Sequence, residues 1–150
     1  MIDSAFVGVD KANTLDNPTV VLDTNIVLDL WLYRDPATPA LLTALQQRQI
    51  NWVATQAMRE ELLRVLTYPH ITERRSREQI EVDWLLAQFD AYASLHAEAP
   101  RAPYVCKDPD DQKFIDLAVA HKALLISKDK QVLRLTNRLA RLSVCVKTAF

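Results

Sequence analysis

Apolar positions along this chain fall into short runs and arcs, each closed by residues with turn or capping chemistry. The first run, Val20-Val21-Leu22, stops abruptly at Asp23-Thr24-Asn25, and apolar helix-like spacing resumes at Ile26. Three aliphatic residues in a row fit a buried strand, and an acid, a hydroxyl and an amide directly after it fit a helix N-terminus. The pattern predicts a strand over residues 20–22 and a helix over 25–31, ended by Arg34-Asp35-Pro36. A second helix is predicted over 39–47, with Pro39 in its first turn. A short strand at 52–53 follows, then a helix over 56–66 capped by Thr55.

That last helix has a marked polarity. At about 100° per residue, Met58, Leu62, Val65 and Leu66 share one arc. Glu61 lies at the arc's edge and Glu60 nearly opposite, where it can pair with Arg64 on the wet face. Glu61 is therefore the acid expected to face inward, although an ordinary boundary glutamate has the same address. Residues 67–75 read as a connection, and 76–94 as one long helix with Ile80, Trp84, Leu85 and Phe89 on its apolar side. A short strand is expected within 100–105. Asp108-Pro109 then caps and starts a helix reaching about residue 123. On that helix Asp116 shares a polar side with Gln112 and Lys113, so it is expected in solvent. A strand at 124–126, a helix at 131–139 and a strand at 143–146 complete the chain. Strands alternating with helices predict an α/β fold, mainly parallel, with helices on both faces and right-handed crossovers.

Composition narrows the classes. With 150 residues, 49% hydrophobic and 25% charged, the chain suits one domain able to bury its own core. Residues 1–18 show no sustained periodicity and read as an N-terminal extension to a domain over 19–150. The only glycine is Gly8, which excludes glycine-rich phosphate loops and the dinucleotide or P-loop functions they serve. Cys106 and Cys145 offer no zinc or disulfide spacing. No apolar run approaches the roughly 18 residues of a membrane span, and the start lacks a signal pattern, so a cytoplasmic, reducing setting without membrane contact is expected. The net charge of -1 hides an asymmetry: residues 117–150 carry a surplus of six positive charges, and residues 1–116 a surplus of seven negative ones. A basic surface beside an acidic pocket would suit an anionic polymer, though a solvated basic helix face has the same composition.

Acids occupy informative places. Asp23 and Asp129 each follow a predicted strand at its carboxyl end, where open α/β sheets bind ligands. Asp111 falls in the first turn of a helix entering the same layer. Dipole and capping effects account for one or two of Asp108, Asp110 and Asp111, but do not require all three. If these strands are neighbours, Asp23, Glu61, Asp111 and Asp129 converge. Like charges so close need a counter-ion, and all-oxygen donors favour a hard divalent cation such as Mg²⁺ or Mn²⁺. Such an ion activates water and stabilises charge on phosphoryl oxygens, the chemistry of phosphodiester hydrolysis without a protein nucleophile.

The anchor motifs are Val21-Leu22-Asp23-Thr24-Asn25, Glu61-Leu62-Leu63-Arg64-Val65-Leu66, Asp108-Pro109-Asp110-Asp111 with Lys113-Phe114, and Ser127-Lys128-Asp129. In this order the set resembles the PIN-domain nucleases, in particular the toxins of toxin–antitoxin pairs (VapC-like ribonucleases). The 18-residue separation of Asp111 and Asp129 is also as in those enzymes. The resemblance implies a three-layer α/β/α domain with a parallel sheet of about five strands, and Mg²⁺- or Mn²⁺-dependent cleavage of RNA. It implies Asp23, Glu61, Asp111 and Asp129 as the acidic quartet, with Asn25 and Ser127 orienting them and Asp108 and Asp110 as extra ligands through water. A protein antitoxin and a homodimer are implied partners. Lys128 departs from the pattern, standing where this branch often has glycine. It either touches substrate phosphate or narrows the pocket.

Lys107, Lys128, Lys130 and Arg134 are candidate phosphate contacts. Arg74, Arg75 and Arg77 read as a solvated cluster. His70, His96 and His121 lack ligand spacing, and Trp31, Trp52 and Trp84 read as core or interface residues. A non-cleaving PIN-like module that binds RNA or protein is the alternative, disfavoured by a complete quartet. A haloacid-dehalogenase-type phosphatase would need an acid at position 25, where this chain has asparagine.

Overall fold

The computed structural model describes residues 17–150, so all but two residues of the expected N-terminal extension lie outside the described part. Five strands form one wholly parallel sheet: β1 (Thr19–Leu22), β2 (Asn51–Thr55), β3 (Ala93–His96), β4 (Leu124–Ile126) and β5 (Cys145–Lys147). Their spatial order is β3-β2-β1-β4-β5. The chain fills one side of β1 first and then crosses to the other, so the order reverses between β1 and β4. That reversal opens a crevice beyond the carboxyl ends of these two strands. Val20 is registered with Leu124 and Leu22 with Ile126, so Asp23 and Ser127 leave the sheet at the same level.

The helices are α1 (Thr24–Leu28), α2 (Pro39–Gln46), α3 (Gln56–Val65), α4 (Pro69–Glu78), α5 (Val82–Tyr92), α6 (Pro109–His121), α7 (Lys130–Leu133) and α8 (Thr136–Ala140). They cover the sheet in the expected three-layer α/β/α arrangement. Val20, Val21, Leu22, Leu125 and Ile126 are essentially inaccessible, as a central parallel sheet demands. Trp52 stacks on Trp31 at 6.0 Å and meets Phe89 edge-on at 5.0 Å. Trp84, by contrast, stays exposed. Thr55 caps α3 by accepting from the Met58 amide at 3.3 Å.

Several local readings are corrected. Helix α1 passes directly into a π-helical turn, Asp29–Tyr33, that ends at Arg34 in the left-handed region. The supposed connection at 67–75 is mostly helix α4, started by Pro69 and so polar that only Ile71 is buried. The long helix predicted over 76–94 is two. Gln79 takes a left-handed φ of 57°, the Ile80 amide returns to the Arg75 carbonyl at 2.9 Å, and the Gln79 amide returns to Ser76 at 3.3 Å. This is a Schellman closure with glutamine where glycine is usual. Helix α5 then runs straight into β3, which lies at the edge of the sheet.

Residues 100–105 form no strand. Their backbone is held by α6 side chains instead. Gln112 accepts from the Cys106 amide at 2.6 Å and donates to the Tyr104 carbonyl at 3.2 Å. Asp116 accepts from the Ala102 amide at 2.8 Å and from Gln112 at 2.7 Å. Asp116 is therefore a half-buried loop anchor and not the solvated acid its helical position suggested. The helix expected at 131–139 likewise breaks between α7 and α8.

Candidate active site

Asp23 follows β1 and opens α1, but its carboxylate makes no capping bond. It is 5% exposed. The Ser127 hydroxyl donates to Asp23 Oδ2 at 2.7 Å. Burial raises the Asp23 pKa, hydrogen bonds from Ser127 and the Thr24 backbone oppose that, and the charges of Glu61 and Asp129 add to the rise. Ser127 follows β4, is wholly buried, and accepts from the Asp129 amide at 3.1 Å. One hydroxyl thus spans the crevice and links both strand ends. Asp129 caps α7 by accepting from the Gln131 amide at 2.8 Å, and its carboxylate remains half-buried.

Asp111 enters from the first turn of α6. Its Oδ2 atom is buried and has no hydrogen-bond partner among the described residues. Burial first, then the charges of Asp23, Asp129 and Asp108 and a hydrogen bond shared with Asp129, push its pKa up to about 7. Aspartates from β1, α6 and the β4–α7 turn therefore feel one another across the crevice. Among the described residues, no three His, Cys, Asp or Glu side chains close tightly enough to hold a metal ion as they stand. The donor set nonetheless fits a hard cation: it is all oxygen, rich in charge, and includes a buried carboxylate oxygen that nothing in the chain satisfies.

Glu61 faces inward as its helical position predicted, with 8% exposure, whereas Glu60 is exposed. Glu60 accepts from Gln56 at 3.4 Å and not from Arg64, which instead stands 4.0 Å from Glu61. Both oxygens of Glu61 are engaged: Thr24 donates to Oε2 and the Lys113 ammonium to Oε1. Lys113 also donates to the Asp110 carbonyl at 2.6 Å. Asn25 is exposed and makes no side-chain hydrogen bond to these acids among the described residues. It lines an open cleft of about 550 Å³ with Asp29, Tyr33, Lys128, Asp129, Lys130 and Gln131. Thr24, one position earlier at the start of α1, does the orienting instead, through Glu61.

The outer residues divide similarly. Asp108 accepts from the Asp110 amide at 2.9 Å as the cap of α6, and both side chains are exposed at the rim. Lys107, Lys130 and Arg134 are exposed. Lys128 is committed elsewhere, paired with Asp29 and 3.6 Å from Asp35. Hydrogen bonding to Asp29 raises the Lys128 pKa. Sequence reasoning missed Thr24, Lys113 and Asp29. Thr24 adjoins Asp23 and Lys113 shares α6 with Asp111, but only the folded chain brings Glu61 to Lys113, 52 positions away.

A parallel three-layer domain with aspartates gathered at its switch point defines a class, the α/β proteins that use carboxylates at the sheet's carboxyl edge. The PIN domain family matches residues 19–131, and the chain belongs to it. PIN domains are in general nucleases, and those nucleases usually use divalent metals. A comparison with curated proteins gives no match.

Proposed function

We propose that this chain is a Mg²⁺- or Mn²⁺-dependent endoribonuclease, the toxin of a toxin–antitoxin pair, acting in the cytoplasm. The observation that carries the reading is the buried, unpartnered Oδ2 of Asp111 in the company of Asp23 and Asp129. Asp23, Asp111 and Asp129 would hold the ion, Glu61 completes the acidic set beside them, and Asp108 and Asp110 stand at its rim. A bound divalent ion supplies water activation and charge neutralisation at the scissile phosphate. Ser127 orients Asp23 and the Asp129 turn, and Thr24 orients Glu61, so the acids are pre-positioned by uncharged donors. Lys130 at the cleft, with the exposed Lys107 and Arg134, would receive the phosphate backbone. Lys128 narrows the cleft while neutralising Asp29. Partners under this reading are an RNA, a protein antitoxin and a second copy of the chain. Among the described residues, no helix is long and apolar enough to cross a membrane.

The second reading, a PIN-like module that binds RNA or protein without cutting, draws on the open spacing of the acids. Incubation of pure protein with a pool of cellular RNAs and Mn²⁺ separates the two. Cleavage by the native chain, lost in Asp23→Asn and in excess chelator, is the expected result. Full cleavage by that variant or under chelation refutes the mechanism, and RNA retention without cleavage favours the second reading.

A further inference from the structure

The four acids at the switch point are not equivalent. Asp111 keeps a buried oxygen with no donor, and Asp23 has a side-chain donor only in the neutral Ser127. Glu61 has both oxygens occupied, one by Thr24 and one by the full positive charge of Lys113. The Lys113 side chain is only one-fifth exposed (20%), and its second bond, to the Asp110 carbonyl, fixes it to the turn that carries Asp111. A cation covalently part of the chain therefore already lies among the acids. Helices α3 and α6 are joined through it.

We propose that Lys113 supplies the second positive charge of this centre, so that the site takes one divalent ion, held by Asp23, Asp111 and Asp129, and not two. The inference rests on the nuclease reading above. Four carboxylates repel strongly enough to recruit cations, yet a lysine and one divalent ion together nearly balance them. A second divalent ion would have to displace an ammonium held by two acceptors. Lys113 is thus a positioning residue: it keeps Glu61 turned to α6 and closes that carboxylate to metal.

Mn²⁺ titration of the full chain without RNA, followed by calorimetry and by the electron paramagnetic resonance of free Mn²⁺, tests this. The native chain should bind one ion, and Lys113→Arg should also bind one. Lys113→Met should bind two, because Glu61 is released, and Lys113→Met/Glu61→Gln should return to one. Should Lys113→Met fail to fold by circular dichroism, single variants decide: Glu61→Gln should shift Mn²⁺ affinity less than threefold, and Asp111→Asn should weaken it tenfold or more. Two ions in the native chain, or equal weakening by Glu61→Gln and Asp111→Asn, overturns the inference and leaves the nuclease reading standing. No binding by the native chain overturns both.

Discussion

Replacing Asp111 by asparagine should stabilise the metal-free protein, and by an amount that depends on pH. Burial and neighbouring acids push the Asp111 pKa from the ordinary 3.8 to about 7. Between those values the folded chain holds a proton that the unfolded chain releases. The penalty is absent below about pH 4, grows as pH rises, and is complete above about pH 7. A displacement of about three pH units corresponds to roughly 4 kcal/mol at about 1.4 kcal/mol per unit. Water reaching the open crevice screens part of this, so one substitution recovers about 2–3 kcal/mol. An asparagine keeps the shape, carries no charge and can donate to Asp129. Urea unfolding in chelator at pH 4.5 and pH 8 should show native and variant chains nearly equal at the lower pH. At pH 8 the variant should be more stable by about 2–3 kcal/mol. Equal stability at both values, or a variant weaker at pH 8, would show that the acids do not repel one another and would remove the reason for a cation.

The two neighbouring glutamates of α3 should behave differently. Glu61→Ala strips Lys113 and Thr24 of their partner and should cost about 2 kcal/mol in thermal or urea unfolding along with cleavage. Glu60→Ala, at an exposed position, should stay within about 0.5 kcal/mol with cleavage retained. RNA affinity should fall steeply with added salt if Lys107, Lys130 and Arg134 hold phosphates, and a flat response in a filter-binding series would dismiss them. Lys122 closes α6 with a left-handed φ of 51°, so Lys122→Gly should raise stability by about 0.5 kcal/mol; a loss in urea midpoint would contradict that.

The central strands were legible because buried parallel strands read as unbroken apolar runs, whereas the exposed edge strand β3 was not. Residues 20–22 and 124–126 carry the same signal, and their ends locate the crevice. Helix ends were harder, and the reason is the near absence of glycine. Arg34, Arg48, Gln79, Lys122 and Ser143 all take left-handed conformations that glycine normally announces. Gln79 therefore hid the break between α4 and α5, and polar α4 passed for a loop. The acids themselves could be placed, since Asp23 and Asp129 follow strands and Glu61 follows from helical phase. What no local pattern carries is pairing across distant segments. Lys113 with Glu61, Lys128 with Asp29, and Thr24 in the role expected of Asn25 are products of tertiary packing.

Ser127 grips both Asp23 and the Asp129 turn, and β4 reaches that position only by docking beside β1. During synthesis, then, a growing chain that has already emerged through Asp23, Glu61 and Asp111 has no completed centre. On the proposed nuclease reading, a ribosome making it meets no cutting activity from its own nascent product until the β4 segment and the turn after it have left the exit tunnel and locked into the sheet.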